Sequence, residues 1–248
     1  EEGVYKLGYG TYSYSISKAG YVCTTGTFSL GSATQVGQDG RVTIDIVLPL
    51  AAENAWDGTY MTEPSQENGV YQIGTGAELA WFTNAVNSGN ADIDAVLTAD
   101  IDLAGYNWTP IGTSTNKFAG DFDGNGHRVY NFAIEFTSTG VPYLGFFGYA
   151  EGAAEDKTAI SDLTLQGRIV MDNGKSTVMA YSGGLVGYAK FAEISSVTVD
   201  VDITLVRTGG NWQNIGGIAG FATYGTSITD SENLGDVSGY QYVGGIAG

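Results

Sequence analysis

The first 50 residues alternate apolar and polar side chains with the two-residue period that is typical of β-strands. Tyr12, Tyr14 and Ile16 are separated by small polar residues, and two further alternating runs follow at 21–30 and 42–48. Glycine-containing turns separate the runs. This pattern predicts short antiparallel strands that form a small, Ig-like β-sandwich, whose set of strands need not be complete.

A helical pattern occurs once, immediately before a long β region. Leu79, Phe82 and Val86 recur at i, i+3 and i+7, so they lie on one helical face. Thr75 is the predicted N-cap, and Glu78 stands three residues later as its capping-box partner. A short amphipathic helix in this place is suited to cover the open end of a solenoid.

Two sequence elements recur in fixed order along the second half of the chain. A Gly-x-x-Gly element occurs at 145–148, 184–187, 217–220 and 245–248. A second element, an Ile-Ser or Ile-Thr strand start, begins at Ile160, Ile194 and Ile228, which are 34 residues apart both times. Short strands and glycines at this period predict a parallel β-helix. We expect the glycines to adopt positive φ at corners and to allow close backbone approach between coils.

A β-propeller is the competing fold, because its blades also repeat. Propeller blades need four strands in roughly 40–50 residues. A repeat of 34 residues with this much glycine is short for that purpose. The pattern therefore favours the β-helix.

The predicted organisation is an all-β chain with one capping helix. Residues 1–52 form the sandwich module, 53–72 a polar linker and 73–248 the parallel β-helix, with the helix near 77–88. The last Gly-x-x-Gly element coincides with the end of the sequence. We therefore expect the chain to be a fragment of a larger protein, truncated within its repeats.

Composition narrows the class of protein. The chain has 248 residues, of which 38 are Gly, and 10 Lys+Arg stand against 27 Asp+Glu for a net charge of −17. That balance excludes a basic nucleic-acid surface, and no apolar run is long enough for a transmembrane helix. The single cysteine, Cys23, cannot form an intrachain disulfide, and its alternating context predicts a buried side chain.

Acidic residues are the first candidates for chemistry. They occur at i, i+2 spacing, which places both side chains on one face of a strand, in the pairs Asp92 and Asp94, Asp100 and Asp102, and Asp200 and Asp202. A glycosidase needs two carboxylates about 5–10 Å apart, and neighbouring coils bring side chains within that range. Apolar residues alternate with these acids, however, so we favour a solvated strand face.

A candidate metal site lies at Asp121 and Asp123, where the segment Asp-Phe-Asp-Gly-Asn-Gly resembles a calcium-binding loop. The run of oxygen ligands stops at His127, and the distal Glu of a true loop is missing. We favour a tight β-turn, with a calcium site as the alternative. His127 is the only histidine, so any histidine base would have to be this residue. We assign it no catalytic role.

Aromatic side chains are frequent near the glycine-rich corners. Two roles are open for them: stacking within the coils, or contact with sugars and proteins. We assign no binding residue among them. They include Tyr149, Tyr188, Phe221, Tyr240 and Tyr242.

The repeated elements resemble those of a known family. Gly-Gly-Leu-Val-Gly-Tyr-Ala at 183–189 and Gly-Gly-Ile-Ala-Gly-Phe-Ala at 216–222 are similar to the GLUG repeat of large bacterial surface proteins, and 235–248 is the closest match. The resemblance covers about 71–248. The first repeat departs from the pattern because 145–148 lacks the doubled glycine. Separately, 14–21 resembles small Ig-like or carboxypeptidase-regulatory-like modules.

The resemblance implies a secreted or wall-attached protein of Gram-positive, often gut-associated, bacteria. It implies adhesion or scaffolding, with glycans or proteins of a host or neighbouring cell as partners, together with the rest of a larger chain. It implies no nucleic acid, no membrane insertion and no particular reaction. We expect no cofactor, no metal ligand and no catalytic residue. The alternatives are a β-helix glycan-active enzyme, a lyase or hydrolase, or its accessory binding domain, and a purely structural stalk.

Overall fold

The computed structural model describes residues 8–16, 18, 21–32, 34, 42, 44, 46, 48, 55–137, 142–172, 179–205 and 213–248. These residues form a mostly β structure with parallel sheets and one α-helix, α1 (Gly76–Asn87). At 12 residues, α1 is far shorter than a bilayer-spanning helix, and no other helix of the described ranges is long and apolar enough to span one.

The strands are numbered along the chain. They are β1 (Gly10–Ile16), β2 (Thr24–Leu30), β3 (Ser65–Glu67), β4 (Val70–Ile73), β5 (Ala95–Leu97), β6 (Ile101–Asp102), β7 (Phe122–Asp123), β8 (Arg128–Phe136), β9 (Tyr143–Leu144), β10 (Phe147–Glu151), β11 (Thr158–Ser161), β12 (Thr164–Met171), β13 (Ala180–Gly183), β14 (Val186–Lys190), β15 (Ala192–Ser195), β16 (Thr198–Leu205), β17 (Gln213–Gly216), β18 (Ala219–Thr223), β19 (Ser227–Thr229), β20 (Glu232–Asn233), β21 (Val237–Ser238) and β22 (Val243–Gly244).

The N-terminal strands β1 and β2 form an antiparallel pair, in agreement with the first two alternating runs. Tyr12 lies opposite Phe28, and their rings stack at a centroid distance of 5.5 Å. Cys23, which directly precedes β2, is buried as predicted, and its backbone N–H donates to the Ala104 carbonyl. Of the third predicted strand, 42–48, the structure describes only residues 42, 44, 46 and 48 and assigns none of them to a strand, so the sandwich stays a prediction.

The stretch 53–72, interpreted above as a linker, contains β3 and most of β4. These strands pair with each other in antiparallel fashion, and β4 pairs in parallel with β5. Tyr71 is buried and packs against the Trp81 ring of α1 at a centroid distance of 5.3 Å. Regular pairing therefore begins before the helix.

Helix α1 begins and ends within one residue of the predicted limits. The Thr75 hydroxyl accepts a hydrogen bond from the Glu78 N–H at 3.2 Å, and the Glu78 carboxylate accepts one from the Gly74 N–H at 2.9 Å, which confirms the predicted cap. Phe82 is fully buried, and its ring contacts those of Phe118 and Phe122 edge-on, at 6.1 and 6.0 Å. The helix thus covers aromatic side chains contributed by the first repeats.

Four parallel sheets are built from strands that lie far apart in sequence. Sheet I has the order β19-β15-β11-β7-β5-β4-β3, in which only β3 is antiparallel to its neighbour. Sheet II is β20-β16-β12-β8-β6, with β21 also on β16; sheet III is β22-β17-β13-β9; sheet IV is β10-β14-β18. The repeats that begin at β9, β13 and β17 enter these sheets in the same order: III, IV, I and II.

The register of the sheets agrees with the repeat spacing of the sequence. Ile160 pairs with Ile194, and Ile194 pairs with Ile228, so residues 34 positions apart are direct neighbours. In a propeller each sheet is one blade, with strands from a single repeat. Here the neighbours come from successive repeats and run parallel, which excludes the propeller.

The Gly-x-x-Gly elements form the corner between sheets III and IV. In all three described repeats two residues separate the strands there, at 145–146, 184–185 and 217–218. None of these elements' glycines has a positive φ, so the expectation of left-handed geometry is wrong for them. They permit close approach instead, because a Cβ on Gly184 would lie 2.4 Å from a Val199 methyl carbon and 2.6 Å from the Gly217 carbonyl oxygen.

Left-handed residues occur at several turns, such as Phe191 and Tyr224 between sheets IV and I, and three of them recur at the corner between sheets I and II. These three are Asp162, Ser196 and Asp230, with φ of 51°, 54° and 49°, at the same position of three repeats. Short polar side chains tolerate this region better than most, because they hydrogen-bond locally. Two residues again separate the strands, at 162–163, 196–197 and 230–231.

The buried interior changes in character along the chain. Phenylalanine rings dominate the first repeats, where Phe146 and Phe147 contact Phe122 at 5.9 and 5.4 Å. Later repeats bury aliphatic side chains, all at most 1% exposed: Leu185, Val199, Val201, Ile203, Ile215 and Ile218. A continuous apolar core therefore runs from α1 towards the last repeats.

Replacing Gly184 with alanine tests the role of close approach. The new methyl group would overlap the backbone of the next repeat, so we expect Gly184→Ala to lower the free energy of unfolding by about 1–3 kcal/mol. Gly245→Ala is the matched control, because it changes the same motif position, and nothing lies within 4 Å of its Cβ. Equal stability of the two variants in urea denaturation would contradict the packing argument.

Candidate functional site

Several of the acidic residues singled out above hydrogen-bond the backbone of neighbouring repeats. The Asp94 carboxylate accepts from the Asp121 N–H at 2.8 Å, Asp121 accepts from the Ala159 N–H at 2.9 Å, and Asp202 accepts from the Asp236 N–H at 3.0 Å. The donors lie 27, 38 and 34 residues further along the chain. These carboxylates therefore help to join one repeat to the next.

Asp102 departs most from the predicted solvated face. It is only 5% exposed, and its carboxylate accepts hydrogen bonds from the Ala104 N–H at 2.8 Å and the Asn131 side chain at 2.7 Å. The prediction of a solvated carboxylate is therefore wrong for Asp102. Asp200, in contrast, is half-buried and accepts a long hydrogen bond, 3.3 Å, from Gln166.

His127 lies at a surface cluster with Asp100 and Arg128. The His127 Nδ1 atom is 3.3 Å, and the Arg128 Nε atom 2.9 Å, from the Asp100 carboxylate. Burial alone would raise the pKa of Asp100, but hydrogen bonds from the Arg128 N–H and from the His127 and Arg128 side chains lower it below its usual value. The cluster thus links Asp100 to His127 and Arg128. The Arg128 guanidinium also lies over the Tyr130 ring, 4.7 Å from its centroid.

The segment that looked like a calcium loop forms a tight turn. Asn125 and Gly126 both have positive φ, 50° and 75°, and the His127 N–H donates to the Gly124 carbonyl at 2.8 Å. The Asp123 carboxylate accepts from the Asn125 N–H at 2.7 Å. Over the ranges given above, no group of three or more His, Cys, Asp or Glu side chains is arranged to hold a metal ion.

Five aromatic rings on sheets III and IV stack from one repeat to the next. We name this set the tyrosine ladder: Tyr143, Tyr149, Tyr181, Tyr188 and Phe221. Tyr143 and Tyr181 stack at 5.4 Å with planes 3° apart, and Tyr149 and Tyr188 stack at 4.5 Å. The rings cover one another's faces, which favours stacking within the coils over sugar binding. Tyr240 and Tyr242 remain 70% and 52% exposed.

Burial raises the pKa of the ladder phenols Tyr143, Tyr149 and Tyr181. These phenols therefore stay neutral to a higher pH than an ordinary tyrosine does. A neutral, half-buried ring stacks without the cost of a buried charge. The electrostatics therefore agree with a structural role for the ladder.

Glu151 is the centre of an ion cluster beside the ladder. Its carboxylate lies 2.7 Å from the Lys117 ammonium and 2.5 Å from the Lys190 ammonium. Burial alone would raise the pKa of Glu151, but hydrogen bonds from both lysines lower it below its ordinary value. Lys117 also lies over the Tyr149 ring, 5.5 Å from its centroid.

A cleft of about 470 Å³ lies beside α1. We name it the helix cleft. Its walls come from three segments: the loop before β3, one side of α1 and the segment after β6. The residues that line it are Trp56, Gly58, Thr59, Met61, Ala80, Thr83, Asn84, Asn87, Asn107, Trp108 and Thr109. Its size is within the range of roughly 300–1,000 Å³ that is usual for small-molecule sites.

The walls of the helix cleft are fixed by hydrogen bonds. Asn87 donates from its amide to the Pro110 carbonyl at 3.0 Å and accepts from the Gly112 N–H at 2.8 Å, which ties α1 to the segment after β6. The Trp56 indole donates to the Tyr60 carbonyl at 2.9 Å. The cleft is therefore formed by the fold itself.

No pattern in the sequence predicted the helix cleft. Trp56 falls in the stretch interpreted as a linker, Asn84 on the helix and Trp108 in an unassigned segment. No spacing in the sequence relates these three residues. The one available signal was the occurrence of two tryptophans within otherwise polar connecting segments.

Curated proteins to which the chain is similar include two that are far longer than it. It is 33% identical over 144 residues, or 56% of its length, to a protein of Evansella cellulosilytica provisionally named Gly-rich membrane protein. It is 27% identical over 238 residues, or 90% of its length, to halomucin of Haloquadratum walsbyi. The matches span 15% and 2% of these relatives. No family and no solved structure matches the chain.

Replacing Glu151 with glutamine tests the ion cluster. Because the pKa of Glu151 is lowered by folding, its stabilising effect is present above the ordinary value of 4.5 and is lost as pH falls through the lowered pKa. We expect Glu151→Gln to melt about 2–6 °C below the wild type at neutral pH, with a difference that shrinks in acid. The measurement is melting temperature against pH.

Glu193→Gln is the control for this prediction. Glu193 pairs with Lys157 at 3.0 Å, but its side chain is 59% exposed, so solvent screens the pair. We expect the melting temperature of Glu193→Gln to equal that of the wild type across the pH range. If the melting temperature of Glu151→Gln stayed equally far below that of the wild type in acid, the charge of Glu151 would not be the cause of the difference.

Calcium titration tests the turn at Asp121 and Asp123. Both carboxylates already accept backbone hydrogen bonds, so we expect millimolar calcium to leave the melting temperature unchanged. Magnesium serves as the control ion. A calcium-specific rise that disappears in Asp123→Asn would establish a site and contradict the prediction.

Proposed function

We propose that the chain is part of an extracellular surface protein and acts there as a binding scaffold in adhesion. The names of the two relatives, a membrane protein and a halomucin, support a location at the cell surface. The resemblance of the repeated elements within 71–248 to the GLUG repeat supports the same location. Because the matches span small parts of those relatives, the proposal rests on the surface of this chain.

The stacking of repeats in register is the observation that carries the proposal. Sheets III, IV, I and II are entered in this order three times, and we infer that they close into a parallel β-helix. Such a solenoid presents equivalent outward side chains again about 4.8 Å further along its axis. Equivalent groups at short, fixed intervals suit multivalent binding, which increases affinity without new kinds of contact.

The acidic residues support binding rather than catalysis. A glycosidase requires one carboxyl group free to protonate the leaving group and another free to act as nucleophile or base. Asp94, Asp121 and Asp202 instead accept hydrogen bonds from the backbone of adjacent repeats. The glycan-active enzyme therefore has less support than the scaffold, and the stalk is the remaining alternative.

Display of the chain on beads tests the proposal. We expect beads carrying many copies to bind at least one feature of a glycan or matrix-protein array, and the monomer to bind the same feature about 10²–10⁴-fold more weakly. Absence of binding to both arrays would favour the stalk. In a parallel incubation with plant and mucin polysaccharides, new reducing ends or ultraviolet-absorbing unsaturated products would favour the enzyme.

A further inference from the structure

The helix cleft has an uncharged lining in a strongly acidic chain. The net charge is −17, yet none of the described residues that line the cleft is Asp, Glu, Lys, Arg or His. Asp57, next to the lining residue Gly58, uses its carboxylate to accept the Tyr60 and Thr59 N–H groups at 2.7 and 2.8 Å. A cationic ligand meets no carboxylate in the lining, and an anionic one is repelled by the net charge. The lining therefore favours a neutral ligand.

The cleft presents polar groups that the fold does not use. The side chains of Asn84 and Thr109 make no hydrogen bond to any residue that the structure describes, and both are exposed. Asn107, which also lines the cleft, accepts from the Glu135 N–H at 2.7 Å through its oxygen, and its amide NH₂ has no partner among the described residues. An amide both donates and accepts, as does a hydroxyl, so these groups match a ligand that is rich in hydroxyls.

The apolar part of the lining includes Met61, which is 47% exposed, beside the buried indole rings of Trp56 and Trp108. Trp56 and Trp108 pack edge to face at 5.8 Å, and the Trp108 indole donates to the Phe146 carbonyl at 3.2 Å. Both rings are largely buried and held in one orientation, so a ligand need not order them. An exposed apolar side chain beside amide and hydroxyl groups suits a pyranose ring, which has an apolar C–H face and a polar rim.

A peptide fits the cleft less well. Peptides commonly add a strand to an exposed sheet edge or place an amphipathic helix in an apolar groove. None of the strands β1–β22 contributes a residue to the cleft, and its lining mixes amides, hydroxyls and apolar groups. Neither mode has the surface that it requires.

We infer that the helix cleft binds a neutral saccharide of one or two rings. Asn84, Asn107 and Thr109 would bind its hydroxyls, and Met61 would contact its C–H face. This inference rests on the proposed function and gives the scaffold a ligand class and a place for it. The site lies at the helix-covered end of the sheets and differs from the tyrosine ladder.

Titration with defined sugars tests the inference. Lactose, maltose and cellobiose are the neutral probes, and glucuronic acid is the charged comparison. Binding is followed by tryptophan fluorescence, since Trp56 and Trp108 lie in the cleft, and independently by saturation-transfer NMR. We expect at least one neutral disaccharide to bind and glucuronic acid to bind more weakly.

Variants locate the binding in the cleft. We expect Asn84→Ala and Thr109→Val each to weaken the affinity about three- to tenfold, the loss expected for one hydrogen bond. Neither side chain has a partner among the described residues, and alanine favours the helix, so both variants are expected to fold. Asn90→Ala is the matched control, because Asn90 is exposed just beyond α1 and does not line the cleft.

The outcomes separate this inference from the proposed function. No binding of any neutral disaccharide, tighter binding of glucuronic acid, or equal affinity of wild type, Asn84→Ala and Thr109→Val would each overturn the cleft site. If beads carrying Asn84→Ala still bind the array as the wild type does, the scaffold role stands and the cleft is rejected as its site. If wild-type beads bind nothing, the scaffold role itself fails.

Discussion

Parallel backbone hydrogen bonding between successive repeats is the constraint on which the rest of the structure depends. Such pairing brings neighbouring backbones to about 4.8 Å and places like residues over like residues. Gly184 must lack a Cβ because the Gly217 backbone lies against it. The same register places Tyr149 on Tyr188, so their rings stack. Carboxylates such as Asp202 then bind backbone N–H groups of the adjacent repeat.

The features that the sequence predicted well are those encoded by local pattern or fixed period. The 34-residue spacing of Ile160, Ile194 and Ile228 is the register in which their strands pair. Thr75 and Glu78 form the predicted helix cap. The conformation of the corner glycines could not be predicted, because close approach and positive φ select the same residue type. Only the positions of the neighbouring repeats distinguish the two causes.

The helix cleft was beyond prediction for a different reason. Its lining comes from three segments that no period relates, and their proximity depends on how α1 packs over the first repeats. The acidic composition also misleads if it is taken as a guide to ligands. The carboxylates at 94, 121 and 202 are used to join repeats, whereas the helix cleft has no charged side chain among the described residues of its lining.

The corner lengths divide the edges of the molecule into two kinds. Two residues join sheets III and IV, and two join I and II, in the repeats that begin at β9, β13 and β17, whereas 98–100 and 124–127 join sheets I and II earlier in the chain. The connections from II to III instead shorten from 172–179 to 206–212 and 239–242, and those from IV to I range from 152–157 to the single residue 191. In these three repeats, variation in chain length is confined to two of the four edges. Loops differ in length along those two edges while the hydrogen-bonded frame between them keeps its dimensions.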